Sequence, residues 1–464
     1  MEILLKNAQV FRGQPTSKRE KADLLIKKGK ITDIIPTSSE ENISGVPFHE
    51  EDLESKETAQ RNLSKQDTQI CSDREVIDLS GCLIVPGFVD MHTHLREPGF
   101  EAKETIATGT KSAARGGFTS IACMPNTEPS IDNSGTIEFI YQKAREQGYV
   151  NTYPIAAITK GRAGSEITEM DELASAGALG FSDDGDPVMN AGVMRTALEY
   201  SKMLDCPIIS HCEDANLSTE GEMNEGYLAS ILGLRGIPAA SESVMAAREI
   251  LLARLTGVPV HIAHVSCADT VHIIRQAKKN GISVTAEATP HHLILTEEAV
   301  KEYDTNAKVN PPLRTEFDRK ELIKGIEDGT IDCIASDHAP HTADEKMVEF
   351  TNAPFGISGL ETAFAIAKKA LVDGGVLTLE ELINKMSREP ANILNIPGGK
   401  IETGLTADVT VIDINENWTV DASKFASLGK NSPFDGWALT GKIKSTMVKG
   451  EFVYKELEAS NIME

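Results

Sequence analysis

The stretch "VDMHTHLREPG" (89–99) sets His92 and His94 one residue apart at the end of an apolar run, with Arg96 two further on. In a strand, side chains i and i+2 share a face, so both imidazoles point the same way, and Arg96 joins them if the strand continues. Two neutral imidazoles side by side can bind one metal ion. Alone, the pattern is equally a pair of satisfied polar groups near a sheet edge. Further along stand Asp183 and Asp184 in "FSDDG", His211 in "SHCED", His261 and His264 in "VHIAHVS", and Asp337, His338 and His341 in "SDHAPH". Four histidines with one or two carboxylates are more than one tetrahedral ion needs. They suit two metals sharing a bridging carboxylate and a bridging hydroxide, an arrangement used in hydrolysis. Nitrogen and oxygen donors favour zinc, with manganese or cobalt as substitutes.

Such groups need elements that deliver them to one place. Short β-rich runs fall at 88–94, 118–124, 151–159, 178–184, 207–213, 260–266, 283–291 and 332–338. Amphipathic segments separate them, among them "KETIATGTKSAARGG", "SESVMAAREILLARLTG" with a Ser cap, "ADTVHIIRQAKKNG" and "TEFDRKELIKGIEDGT". This alternation predicts a parallel (β/α)8 TIM barrel, with an open doubly wound sheet as the alternative. In a barrel all C-terminal strand ends lie on one face, so strands one, four, five, six and eight bring His or Asp to one mouth.

The chain of 464 residues exceeds the roughly 250 of a barrel, leaving room for a second unit. Both flanks read as strands with Gly turns, "EILLKNAQVFRG" and "ADLLIKKGKITDIIP" at one end, "ADVTVIDINENWTV" and "STMVKGEFVYK" at the other. They predict a small β-sandwich domain from both chain ends: residues 1–36 and 75–87, then 397–464, around a barrel over 88–396. Residues 37–74 are polar and acidic in their first half, and predict an exposed or disordered insert. A packed helix over "EEDLESKETAQRNL" is the alternative. A net charge of −24 argues against nucleic acid as a partner and means any anion site must be local and basic. Seven scattered cysteines without a CxxC pair suit reduced thiols in a cytoplasmic setting. No apolar run predicts a membrane span, and the N-terminus does not read as a secretory signal.

The motifs "PGFVDMHTHLREPG", "MPNTEPS", "FSDDG", "SHCED", "HVS", "TPHHL", "VNPPLR", "SDHAPH" and "APFGISG" resemble, in order, those of the bacterial class I dihydroorotases of the amidohydrolase superfamily. The closing "GGKIETGLTADVTVID" is similar to the small β domain of cyclic amidohydrolases. The insert at 37–74 departs from the family, which has a shorter connection there. The resemblance implies a zinc-dependent cyclic amidohydrolase interconverting N-carbamoyl-L-aspartate and (S)-dihydroorotate plus water, the third step of de novo pyrimidine (UMP) biosynthesis. It implies two zinc ions per subunit. His92 and His94 would hold the first and His211 and His264 the second, with Asp184 bridging. Asp337 would be the catalytic aspartate and also touch the first metal. Arg96, Asn126, Asn310 and His341 would bind substrate, with His94 and the backbone around Phe355 and Gly356. Residues 342–356 would cover the site. A homodimer, and association with aspartate transcarbamoylase, are further expectations of the family.

Allantoinases and dihydropyrimidinases share the HxH motif, but usually bridge their metals with a carboxylated lysine, and "GALGFSDDGD" contains none. An inactive scaffold for aspartate transcarbamoylase would have lost ligands that this chain retains. His49 reads as solvated and His272 as surface, while His291 and His292 fall near the mouth without a role.

Long surface loops cost closure entropy that grows only slowly with length. Replacing residues 40–70 by a short Gly/Ser turn should therefore leave Tm and turnover nearly unchanged. Loss of soluble protein, or of activity at intact metal content, would show that the insert packs on the barrel or at a subunit contact.

Overall fold

The computed structural model describes residues 2–14, 17–37 and 74–456. The expected insert at 37–74 lies outside the described residues apart from its end positions, Thr37 and Arg74.

Five strands precede the barrel: β1 (Glu2–Val10), β2 (Glu20–Lys27), β3 (Lys30–Pro36), β4 (Arg74–Asp78) and β5 (Leu83–Pro86). The barrel staves begin with β6 (Phe88–Thr93), β7 (Phe118–Cys123) and β8 (Asn151–Pro154), paired parallel. Next comes β9 (Ile208–Ser210), then a short excursion in which β10 (Met223–Asn224) pairs with β11 (Gly236–Ile237). The staves β12 (Val260–Ile262), β13 (Val284–Ala288) and β14 (Cys333–Ile334) continue the parallel set from β9. The stave expected at 178–184 is reduced to Phe181, which bridges Ala156 on one side and Ile208 on the other. Thr93 pairs with His338 beyond β14, and the His94 amide donates to His338 O at 2.9 Å. That last pairing joins the eighth stave to the first, so the sheet is closed rather than open.

The remaining strands are β15 (Val409–Thr419), β16 (Ala438–Val448) and β17 (Glu451–Lys455). They join β1–β5 in one eight-stranded sheet, ordered β17-β16-β15-β5-β1-β2-β3 with β4 on β1. Both chain ends close over a shared core of Ile3, Leu5, Leu24, Ile31, Val409, Val411 and Met447. Residues 420–437, between β15 and β16, leave this sheet and reach the barrel, where Asn431 is buried against Ala339 and Gly356.

Val89, Met91, Ala122, Ile155, Ile209, Ala263, Cys333 and Ala335, drawn from six staves, fill the barrel interior. A larger layer between staves and helices includes Phe88, Phe118, Ile208 and Val260 against Ala113, Leu198, Ile250 and Ile274. Phe88 stacks on Phe364 and meets Phe118 edge-on. Each such buried ring is stabilising by about 1.5–3 kcal/mol.

The helices follow local signals. Helix Ile106–Arg115 starts at Thr105 in a reciprocal cap with Thr108 and ends at Gly116. Gly117 follows at φ +87°, and a Cβ there would sit 2.9 Å from Thr410 Cγ2. Helix Glu316–Glu327 starts at Thr315, whose side chain and that of Asp318 cap one another. One expectation needs correcting. Helix Ala239–Thr256 begins at Pro238, and Ser241 lies in its first turn, its hydroxyl turned back to Pro238 O at 2.9 Å. Proline's fixed φ suits a helix start without a side-chain cap.

Candidate metal and substrate site

The parallel staves set the six expected ligands on one rim. His92 lies in β6 and His94 just past it, His211 directly follows β9, His264 lies two residues past β12, and Asp337 three past β14. Asp184 follows Phe181 on the reduced fourth stave. Asp184 is the centre: His92 Nε2 is 3.2 Å from its Oδ1, His211 Nδ1 and His264 Nε2 are each 3.6 Å from Oδ1, and His94 Nε2 is 3.6 Å from Oδ2. Asp337 Oδ1 stands 3.0 Å from His94 Nε2 and 3.7 Å from His92 Nε2. All six side chains are buried. His264 and Asp337 have left-handed φ of +32° and +47°, a strained conformation for side chains of this kind that turns them over the mouth.

The far nitrogen of three imidazoles is held by an oxygen. His92 Nδ1 donates to Glu287 Oε1 at 2.7 Å, His94 Nδ1 to Asn126 Oδ1 at 2.8 Å, and His211 Nε2 to Glu213 Oε2 at 2.9 Å. Such bonds fix the tautomer and turn the near nitrogen toward the centre, where His211 Nδ1 lies 2.9 Å from His264 Nε2. His92 Nε2, Asp184 Oδ1 and His264 Nδ1 are buried without any hydrogen-bond partner. His92, Asp184 and His264, and again His92, His94 and Asp337, each offer ligand atoms within 4.8 Å of one another. Unpartnered imidazole nitrogen and carboxylate oxygen lone pairs of this kind fit divalent cations.

The electrostatics agree. Burial opposes charge throughout, yet Asp184 and Glu287 hold the His92 imidazolium well above its usual range. Burial also works against His211, but the nearby Asp184 and Glu213 carboxylates raise it to about 10. Asp184 sits well below the ordinary carboxylate range despite burial, drawn down by His92, His211 and His264. Asp337 is likewise lowered, against burial, by His94 and His92. Burial lowers His94, but the carboxylates that hold a proton on His92 and His211 would attract a divalent cation for the same reason.

The expected substrate residues fall into two groups. Asn126 and Asn310 line the metal side: Asn126 Nδ2 reaches Asp184 Oδ2 at 3.4 Å, and Asn310 Nδ2 donates to Glu213 Oε2 at 2.7 Å. Arg96, His341, Phe355 and Gly356 form the other group. The strand ends at Thr93, so Arg96 does not follow His92 and His94 by alternation. It takes φ +63° and turns toward His341, with NH2 3.3 Å from His341 Nε2 and Nε donating to Pro340 O at 3.3 Å. No carboxylate among the described residues lies within 4 Å of its guanidinium. Burial lowers it only to about 10, so it stays charged. His341 Nε2 is 2.8 Å from Phe355 O, and burial beside Arg96, Lys346 and Lys103 pushes it down to about 3. A charged, unpaired guanidinium beside a neutral imidazole is a seat for an anion.

Several contributors were missed in the sequence. Glu287 holds His92 and also faces His261 Nε2 at 3.2 Å. Its signal was there, a lone carboxylate in the buried strand "VTAEA". Glu213 and Lys346 carried no comparable signal. His338 turns away from the centre to Glu104, 3.3 Å from Oε2. His292 lies between Thr289 Oγ1 at 2.7 Å and Pro311 O at 2.9 Å, a structural role, while His291 is buried with Nε2 unpartnered. His272 is 51% exposed, as expected of a surface residue.

Residues 81–270 match the family described as "Dihydro-orotase-like". A dihydroorotase of Caldanaerobacter subterraneus subsp. tengcongensis is 50% identical over 456 residues, 98% of this chain and 98% of that protein. One of Syntrophus aciditrophicus is 49% identical over 98% of this chain and 100% of its own length. Among solved structures, an L-hydantoinase (dihydropyrimidinase) from Arthrobacter aurescens superposes with a TM-score of 0.82 at 26% identity, covering 98% of this chain and 96% of that one. A dihydropyrimidinase from Brevibacillus agri gives 0.80 at 24% identity over 98% and 95%, a likeness of fold.

The two adjacent aspartates separate by direction. Asp183 faces away from the ligands, its Oδ1 accepting from the Ile158 and Thr159 amides at 2.8 and 3.0 Å, and burial raises it to about 6. Asp184→Ala should lower the metal content of the purified protein, measured by mass spectrometry of the metal. Asp183→Ala should keep the metal but lose stability, since each amide left unpaired costs about 1–3 kcal/mol. Equal metal loss in both variants would remove Asp184 from the centre.

Proposed function

The chain belongs to the dihydroorotase family, whose reaction interconverts N-carbamoyl-L-aspartate and (S)-dihydroorotate, and from that premise we propose a division of labour among the residues at the barrel mouth. The observation that carries it is the meeting of four histidines and two aspartates beside an unpaired Arg96. His92, His94 and Asp337 would hold one zinc ion, His211 and His264 a second, with Asp184 shared between them. Bound there, the ions would supply Lewis acidity, making water nucleophilic near neutral pH and polarising the ring amide carbonyl. Glu287, Asn126 and Glu213 keep the imidazoles turned inward.

Asp337 moves the proton. As water adds to the ring carbonyl, its carboxylate takes the proton released and passes it to the ring nitrogen when the C–N bond breaks. In the direction of ring closure Asp337 removes a proton from the ureido nitrogen as that nitrogen attacks the side-chain carboxyl, and the proton leaves with water. Its lowered pKa, set by His94 and His92 against burial, keeps it ionised as a base. Arg96 receives the carboxylate that both substrates carry, through paired hydrogen bonds. The segment 342–356 closes over this side. Lys346 pins it, donating to Thr305 O at 2.8 Å and Pro354 O at 2.7 Å. Excluding water there favours the dehydrating direction.

The bridge distinguishes this reading from the carbamylated-lysine relatives, because Asp184 is a carboxylate without modification. Complete ligation speaks against a scaffold without activity. No helix among the described residues is long and apolar enough to cross a membrane. A homodimer and association with aspartate transcarbamoylase complete the proposal on the family resemblance alone.

Asp337→Asn should preserve fold and most of the metal yet lose turnover by roughly 10²–10⁴ in both directions. Near-normal turnover would take Asp337 out of the mechanism.

Arg96→Met removes one side of a charged pair whose loss costs on the order of 2–5 kcal/mol when the partner is buried. The loss should appear in kcat/KM with dihydroorotate and be much smaller with dihydrouracil, which lacks the carboxylate. Equal losses would assign Arg96 to the fold or the metals.

A further inference from the structure

The reach of residues 420–437 to the barrel ends in a hydrogen-bonded junction that the reaction as described does not use. Ser427 Oγ donates to Glu104 Oε2, the carboxylate that faces His338, and the Leu428 amide donates to Glu104 Oε1 at 3.2 Å. Beyond them Asn431 is 4% exposed. Its Nδ2 donates to Ala339 O at 3.1 Å and Gly356 O at 2.9 Å. Its Oδ1 accepts from the His341 amide at 2.9 Å and from Ser358 Oγ at 2.8 Å. An asparagine amide has two donor hydrogens and two acceptor lone pairs: both hydrogens are engaged, one lone pair takes the His341 amide, and the other shares the single Ser358 hydroxyl hydrogen with Gly429 O at 3.0 Å.

The four partners lie in two segments, 339–341 and 356–358. These carry His341 and the backbone at Phe355 and Gly356, the groups placed on the carboxylate side of the site. The segments meet elsewhere through the His338–Ile357 bridge and the His341–Phe355 hydrogen bond. The fit is close. A Cβ on Gly429 would come 2.5 Å from Pro340 Cβ and 2.8 Å from the His341 amide nitrogen, and one on Gly356 2.5 Å from Ala339 O.

We propose that Asn431 is a positioning residue for substrate: its amide sets the spacing between His341 and Gly356, so the C-terminal segment is part of the substrate site. This rests on the reading of Arg96 and His341 as the carboxylate side. Asn431 touches neither the metal ligands nor Asp337, so it acts on binding rather than on the proton transfer.

The test is Asn431→Asp, which keeps the shape but replaces the Nδ2 nitrogen and its two donor hydrogens by an oxygen facing the Ala339 and Gly356 carbonyls. Expected is a rise of about tenfold or more in KM for dihydroorotate, as one to two hydrogen bonds are worth. The kcat should stay within about threefold, zinc content should be unchanged, and kcat/KM for dihydrouracil should change much less. Ser358→Ala, which removes one donor to the same amide, should raise KM in the same sense by a few-fold, and it decides the matter if the aspartate variant does not fold. A folded variant with altered Tm but unchanged KM would make Asn431 a purely structural residue and overturn the proposal. So would an equal loss with dihydrouracil, or a fall in kcat accompanied by zinc loss. Arg96→Met, run alongside, separates the layers. If it raises KM while the Asn431 and Ser358 variants do not, only the positioning role fails. If it leaves dihydroorotate unaffected, the carboxylate reading itself fails.

Discussion

Asp184 lies buried with four imidazole nitrogens between 3.2 and 3.6 Å from its carboxylate oxygens. Taking one such ion out of water costs several kcal/mol even after the protein relaxes, and a near neighbour of opposite charge must offset it. Here the neighbours are bases, which offset it only as imidazolium or by sharing a cation. The orphaned His92 Nε2 and Asp184 Oδ1 show that hydrogen bonds inside the protein do not complete the arrangement. Everything around the centre answers this condition. Glu287, Asn126 and Glu213 each accept a hydrogen bond from the far side of a ring, so the inward nitrogens face the centre. Glu287 is itself held low, at about 2 against its burial, by His92 and His261. The outer carboxylate therefore keeps its charge and raises the basicity of the ring it holds.

The barrel supplies the geometry that makes this condition satisfiable. Parallel staves end on one face, and closure through Thr93 and His338 brings the first and last strands together. That single junction sets His94 against Asp337 at 3.0 Å, although 243 residues separate them along the chain. An open sheet would leave these two at opposite edges. The same closure explains why Asp90 is buried at the seam, accepting from the Ser336 and His92 amides and raised by burial to about 6.

Much of this was legible in the sequence, and the reason is periodicity. A histidine or aspartate at the end of an apolar run announces a strand end, and eight runs with helical segments between them announce a barrel. The six expected ligands meet as that pattern requires. What escaped lies where periodicity carries no information. Asn431 sits in a loop 90 residues from His341, and a polar residue in a polar loop has no local mark of burial. Lys346 reads as a solvated lysine in "TADEKM", yet it is buried, and burial beside the Lys308 charge lowers it to about 7. Arg96 was placed by strand alternation, and a left-handed φ overrode it. Ser241 looked like a cap, but Pro238 had already begun the helix. For Asn431 and Lys346 the deciding contacts come from segments remote in the chain, which local pattern cannot report, whereas for Arg96 and Ser241 a local backbone feature outweighed the pattern.

A net charge of −24 would repel an anionic substrate at long range, yet screening limits that field to about 8 Å at physiological salt. Within that distance the local charges decide. Lys103 is paired to Glu345 at 2.8 Å, and His341 Nδ1 lies 3.5 Å from the same carboxylate. Lys308 and Lys346 donate to backbone carbonyls, and Arg96 has no carboxylate within 4 Å among the described residues. A ring bearing a carboxylate differs from its neutral counterpart by one negative charge, and only an unspent positive charge can read that difference. Had Arg96 been neutralised by a protein carboxylate, an arriving substrate would have to displace that partner and gain little. Holding His341 neutral at about 3 serves the same end: the imidazole adds hydrogen bonding without a second charge that would repel Arg96 and loosen its aim. On the proposed role of Arg96, selectivity for the carboxylated ring depends on keeping this guanidinium uncommitted and its surroundings rigid, which places the burden on the segments around His341 and Gly356 rather than on the proposed metal ligands.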